Sequence, residues 1–193
     1  MEILPKPAVW SILVFVCGTA LPTAGQCSEV ENLAQSALAS LVTQKYAAAV
    51  DQFHYAATVS EQARIEDRKG MVGMLRAVFT DLDGLPHAQR ARDLDTADLA
   101  KGSMVLGIFA GDASDWKADS TRFFPTQVCY RVSRRGNESF VVSFRYIHPE
   151  DRWELLDILL LAPAQDVDAV AQLNELQKRV LDLMRAQAAT PRT

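Results

Sequence analysis

The chain predicts an α+β fold in which helices come first, an antiparallel sheet follows and a long helix closes the domain. Three observations carry this. Apolar residues recur every three and four positions over 28–53 and 60–82, the period of a half-buried helix. From Ser103 to Leu161 the apolar residues are instead Val, Ile, Phe and Tyr in short runs bounded by turn residues, which is strand composition. The helical period then returns over 166–187.

The first two dozen residues stand outside this pattern. Lys6 precedes an uncharged apolar run from Ala8 to Ala20, followed by Pro22 and the small-residue stretch Thr23-Ala24-Gly25, the layout of a secretory leader. A run of roughly a dozen residues is short of the ~20 a permanent membrane helix requires. We therefore divide the chain into a leader (1–25), a domain (26–163) and a C-terminal helix with its tail (164–193), and expect an exported protein, periplasmic or extracellular, with no membrane span after cleavage. Loss of Glu2, Lys6 and Cys17 leaves the net charge at −4 and leaves two cysteines, Cys27 and Cys129. An even pair in an oxidising compartment suggests a disulfide, the alternative being two independent buried thiols.

About 168 residues remain after the leader, enough for one domain with a proper core. Ser28 and Glu31 have capping-box spacing, and Val30, Leu33, Ala37, Leu38, Leu41 and Val42 form the buried stripe of a first helix. The stripe resumes at Tyr46, Ala49, Val50 and Phe53 after the polar Gln44-Lys45, so the helix continues or bends there. Ser60 caps a second helix burying Ile65, Met71, Met74, Leu75, Val78, Phe79 and Leu82; Gly70 and Gly73 suit close approach of a neighbouring backbone. Residues 87–100 read as loop. Met104–Phe109, Arg122–Arg134, Ser139–His148 and Arg152–Leu161 read as strands, the last three a meander turning at Gly136-Asn137 and Pro149-Glu150-Asp151. The closing helix carries Val167, Val170, Leu173, Leu176, Val180, Leu183 and Met184.

Register is constrained because a slip of one residue turns every side chain to the other face. A three-residue turn at Gly136–Glu138 pairs Val132 with Val142, Tyr130 with Phe144 and Val128 with Tyr146. Across the next turn Tyr146 meets Trp153, Phe144 meets Leu155 and Val142 meets Asp157, while Arg145 meets Glu154 on the opposite face. One face is then aromatic and concave, with a single acid, Asp157, in it.

The segment Ala37 to Phe53, with its mid-helix Tyr46 and following Phe53, and the closing strands 139–161, opened by Arg152-Trp153-Glu154-Leu155, resemble the NTF2-like, cystatin-like α+β cone superfamily, particularly its small exported bacterial members of unknown function. The resemblance spans about 28–161, departs at Lys45 beside the tyrosine, and adds the long helix 166–187. It implies helices packed on a curved sheet, and a cone pocket lined here by Tyr46, Phe53, Tyr130, Phe144, Tyr146 and Trp153. Enzymes of that superfamily set acids, histidines and tyrosines inside the cone.

Asp157, surrounded in this register by Val142, Leu155 and Leu159, would have its charged form disfavoured and its basicity raised. It is the candidate general base of an isomerase- or dehydratase-like reaction. We nevertheless expect a non-catalytic module binding a small apolar ligand or a protein partner. No Gly-x-Ser-x-Gly turn occurs, and His54, His87 and His148 have no ligand spacing, so neither a metal nor another cofactor is expected. The loop from Gly111 to Asp119 lacks the closing Glu of a calcium loop. Scattered basic residues exclude a nucleic-acid surface, which needs clustered Lys and Arg. The C-terminal helix either covers the outer sheet face, where Leu156, Ile158 and Leu160 need burial, or pairs with a second copy or an envelope assembly.

Overall fold

A computed structural model describes residues 24–80, 89–90, 103–111, 126–133 and 139–189. Helix α1 is Ala24–Val42, α2 is Tyr46–Val50 and α3 is Glu61–Phe79; strands β1 (Gln89–Arg90), β2 (Ser103–Phe109), β3 (Thr126–Ser133), β4 (Ser139–Ile147) and β5 (Glu154–Ala162) follow, and α4 is Val167–Ala189. The fold is α+β, as its alternation of periods predicts. The sheet is open and antiparallel, in the order β1-β3-β4-β5-β2.

Helix α1 begins at Ala24, upstream of the expected cap, so Ser28 lies inside it rather than at its N-terminus. It ends in a Schellman-type turn: the Lys45 amide donates to the Ser40 carbonyl at 2.8 Å, the Gln44 amide donates to Leu41 at 3.1 Å, and Gln44 takes φ 59°, satisfying carbonyls the helix leaves open. The apolar stripe thus bends at Gln44-Lys45 and resumes in α2. Phe53 leaves the helical period and forms a parallel bridge with Leu155. The Leu155 amide donates to the Gln52 carbonyl at 2.7 Å, and the His54 amide donates to Leu155 at 2.8 Å. In α3, Ser60 is the N-cap and its hydroxyl accepts from the Ala63 amide at 3.2 Å. Met71, Leu75, Val78 and Phe79 are buried, but Ile65, in the second turn, is 43% exposed.

Both hairpin registers differ from expectation. Tyr130 pairs with Val142 and Val128 with Phe144, two residues from the expected alignment, which preserves the faces. Between β4 and β5 the turn is tight: the Arg152 amide donates to the Pro149 carbonyl at 3.1 Å, and Glu150 and Asp151 both have positive φ, 50° and 59°, the pattern of a type I′ turn. Tyr146 therefore meets Leu155. One step on, Arg145 meets Asp157 and Phe144 meets Ile158, with Leu156 left between as a bulge. One extra residue inverts the alternation. Ile158 and Leu160 consequently join Leu155 on the helix-bearing face, and Asp157 turns to the other.

The main core lies between that face and the helices. It unites Val30, Ala34, Leu41, Tyr46, Leu75 and Phe79 with Val128, Tyr130, Phe140, Val142, Phe144, Tyr146, Leu155, Ile158 and Leu160, and with Ala169, Leu173, Leu176 and Val180 of α4. Helix α4 touches β2, β5 and α3. It covers Ile158 and Leu160 beside the other helices, on the face opposite to the one expected. Leu183 and Val167 of its predicted stripe are exposed. A separate apolar cluster of Cys129, Val141 and Leu161 occupies the second face.

Cys129 is a buried free thiol, so the expected Cys27–Cys129 disulfide is not seen. Strand alternation supplies the reason: Val128 and Tyr130 face the core that α1 enters, and Cys129 between them faces away. No described helix is long and apolar enough to cross a membrane.

Candidate functional site

The six residues of the predicted cone lining all belong to the main core or border it. Tyr46, Phe53, Tyr130, Phe144 and Tyr146 belong to one core cluster, and Trp153 packs against it. Their rings meet one another and their surroundings closely: Tyr130 stands edge-on to Phe144 with centroids 6.0 Å apart, and Trp153 stands edge-on to His148 at 4.9 Å. The Tyr146 hydroxyl donates to Gln52 Oε1 at 3.2 Å, and the Tyr46 and Thr80 hydroxyls share a hydrogen bond of 3.3 Å. Burial raises the Tyr146 phenol far above its ordinary value, with the nearby Tyr130 adding to the effect. These tyrosines are tied into packing.

Asp157 is not among them. On the second face, Arg145 Nε donates to both carboxylate oxygens, at 2.8 and 3.0 Å, and Arg145 Nη2 also donates to Oδ2. Asp157 is only 4% exposed. Burial raises its carboxyl above the ordinary value, and the hydrogen bonds and charge of Arg145 oppose that rise. Burial likewise disfavours the Arg145 cation, but Asp157 more than offsets this. At neutral pH the pair is ionic, because a protonated Asp157 would leave a buried guanidinium without its counter-charge. Beside it, Gln127 Nε2 donates to Ser143 Oγ at 2.7 Å. Burial pushes the Cys129 thiol up, against hydrogen bonds from Ser143 and Gln127, which is the opposite of nucleophile activation.

Two further clusters escape sequence reasoning. His54 Nδ1 contacts Glu154 Oε2, and Arg152 Nη2 lies 2.5 Å from Glu154 Oε1. The partners are 100 residues apart and meet because Phe53 bridges to Leu155. The second is a groove of ≈ 180 Å³ between α3 and α4, lined by Asp67, Gly70, Met71, Gly73, Met74, Ala77, Val180 and Leu183. A Cβ placed on Gly70 would meet nothing within 4 Å, so this glycine opens space where close backbone approach was expected. Asp67 Oδ2 accepts from the Tyr55 hydroxyl at 2.8 Å and from the Gly111 amide at 3.1 Å. Tyr55 also reaches Met71 Sδ at 3.5 Å, and the Arg64 guanidinium lies 5.8 Å from the centre of its ring. Burial, then the hydrogen bond and charge of Asp67, raise the Tyr55 phenol well above its ordinary value.

The sequence signal for this groove was present: Asp67, Gly70, Met71 and Met74 follow the i, i+3, i+4, i+7 rule for one helix face. Nothing in the sequence says that α4 leaves that face partly open. No cluster of His, Cys, Asp and Glu able to hold a metal occurs among the described residues. Comparison with known protein families, characterised proteins and solved structures finds no match.

Proposed function

We propose that this chain is a non-catalytic binding module of the NTF2-like type, exported to the periplasm or the cell exterior, whose ligand site is the α3–α4 groove rather than the cone. The observation that carries this reading is the groove itself, an open concavity with Met, Ala, Val and Leu in its walls and one charged side chain, Asp67, a mix of apolar surface and a placed polar group of the kind small-molecule sites use. The close packing of the aromatic residues under the sheet supports placing the ligand outside the cone. The engagement of both Asp157 oxygens by Arg145 weighs against the alternative of a cone-pocket enzyme with Asp157 as base, since a general base must reach its substrate with a free lone pair.

A second reading, a protein partner or second copy bound along α4, draws support from Leu181, which is exposed on that helix together with Val167.

The test is native mass spectrometry on protein expressed with its own leader, compared with Gly70→Leu. A Cβ at Gly70 meets nothing within 4 Å, and Gly70 is part of the groove lining, so the leucine is introduced at the groove itself. A mature mass with a small-molecule adduct, lost in Gly70→Leu, is the expected result. An adduct that persists in Gly70→Leu overturns the groove, and a stable dimer free of ligand favours the α4 reading.

A further inference from the structure

We infer that the groove between α3 and α4 selects a cationic amphiphile, a short alkylammonium whose head meets Asp67 and whose chain lies along Met71, Met74, Val180 and Leu183. This rests on the groove being the ligand site.

Asp67 is the only charged residue in the groove lining. Its two hydrogen-bond donors, the Tyr55 hydroxyl and the Gly111 amide, are neutral, so they orient the carboxylate without cancelling its charge. No Lys or Arg pairs with it among the described residues. Of the guanidiniums on α3, Arg68 donates to Asp51 Oδ1 through Nε at 2.9 Å and Nη2 at 2.6 Å, and Arg64 lies over the ring of Tyr55, the donor to Asp67.

A carboxylate held in place in the lining of an apolar groove by two neutral donors is complementary to a cation. An anionic head would meet like charge there, and a neutral head would gain only the apolar walls. The two methionines suit a flexible chain, since thioether side chains adapt to irregular apolar shapes. Gly70 and Gly73 carry no side chain into the groove they line, and the space beside Gly70 is open.

The experiment titrates octylamine, 1-octanol and octanoate, all at pH 7.5, into the full mature chain by calorimetry, and repeats this with Asp67→Asn and Gly70→Leu. Octylammonium should bind at least roughly tenfold more tightly than octanol, the scale of one charge-assisted hydrogen bond, with octanoate weakest. Raising the salt should narrow that preference. Asp67→Asn, which keeps an acceptor for Tyr55 and Gly111, should level the three probes, and Gly70→Leu should abolish all binding. Octanol equal to octylammonium in the parent chain, with both lost in Gly70→Leu, overturns the cation preference and leaves the groove standing. Binding of none of the three, or binding unchanged by Gly70→Leu, overturns both.

Discussion

Arg145 on β4 stands directly across from Asp157 on β5 and holds both of its carboxylate oxygens. The pair exists because the Leu156 bulge turns Asp157 off the aromatic face. Removing one partner strands the other's charge in a place that water hardly reaches. Arg145→Met should therefore cost roughly 3–5 kcal/mol of stability, while the double variant Arg145→Met/Asp157→Leu should recover most of that loss. Urea unfolding of the three proteins checks this; equal loss in the single and double variants would show that the two charges are not coupled.

Alkaline pH should unfold the protein through its buried phenols. Tyr146 and Tyr55 both titrate above the ordinary value of 10.0 in the folded state, chiefly through burial. A folded value above the unfolded one means that the neutral form favours folding. That contribution is full below about pH 10 and is lost as pH rises through the folded value. Tyr146→Phe should show a shallower fall in urea midpoint between pH 9 and 11.5 than the parent, with Tyr55 supplying what slope remains.

Gly70→Ala should stabilise the chain by about 0.5–1 kcal/mol. The glycine sits in the middle of α3, where alanine is intrinsically preferred, and the added Cβ meets nothing within 4 Å. A lowered melting temperature would mean that the space beside Gly70 is filled.

Ser60→Ala should cost about 1 kcal/mol, because the hydroxyl accepts from the Ala63 amide at the N-terminus of α3. Chemical denaturation reads the loss directly. Ser60→Asp should restore it.

Cys129 should resist iodoacetamide at pH 8 in the native protein and react at once in urea, since the thiol is buried and its ionisation is disfavoured. Rapid native labelling would place the thiol in contact with solvent.

The helices-sheet-helix order, the cap at Ser60, the bend at Gln44-Lys45 and most of the buried stripes of α1, α3 and α4 were legible in the sequence, because each depends on neighbours within one or two helical turns. Strand β1 at Gln89–Arg90, in a segment that reads as loop, was not, and Val42, Ile65, Val167 and Leu183 are exposed. Tyr130, Phe144 and Tyr146 share the core face as strand alternation requires. Which residues are apolar, and at what period, is written locally in the chain. Where the periods slip depends on long-range pairing. A type I′ turn at Glu150-Asp151 and a bulge at Leu156 moved Asp157 from the aromatic face to Arg145 and brought Ile158 and Leu160 under α4. The groove at Asp67 has the same origin, since its helix face is visible locally but its opening depends on how far α4 lies from Gly70. A strand's local preferences are indifferent to a shift of one residue, and only the summed packing across the whole sheet selects between the two faces.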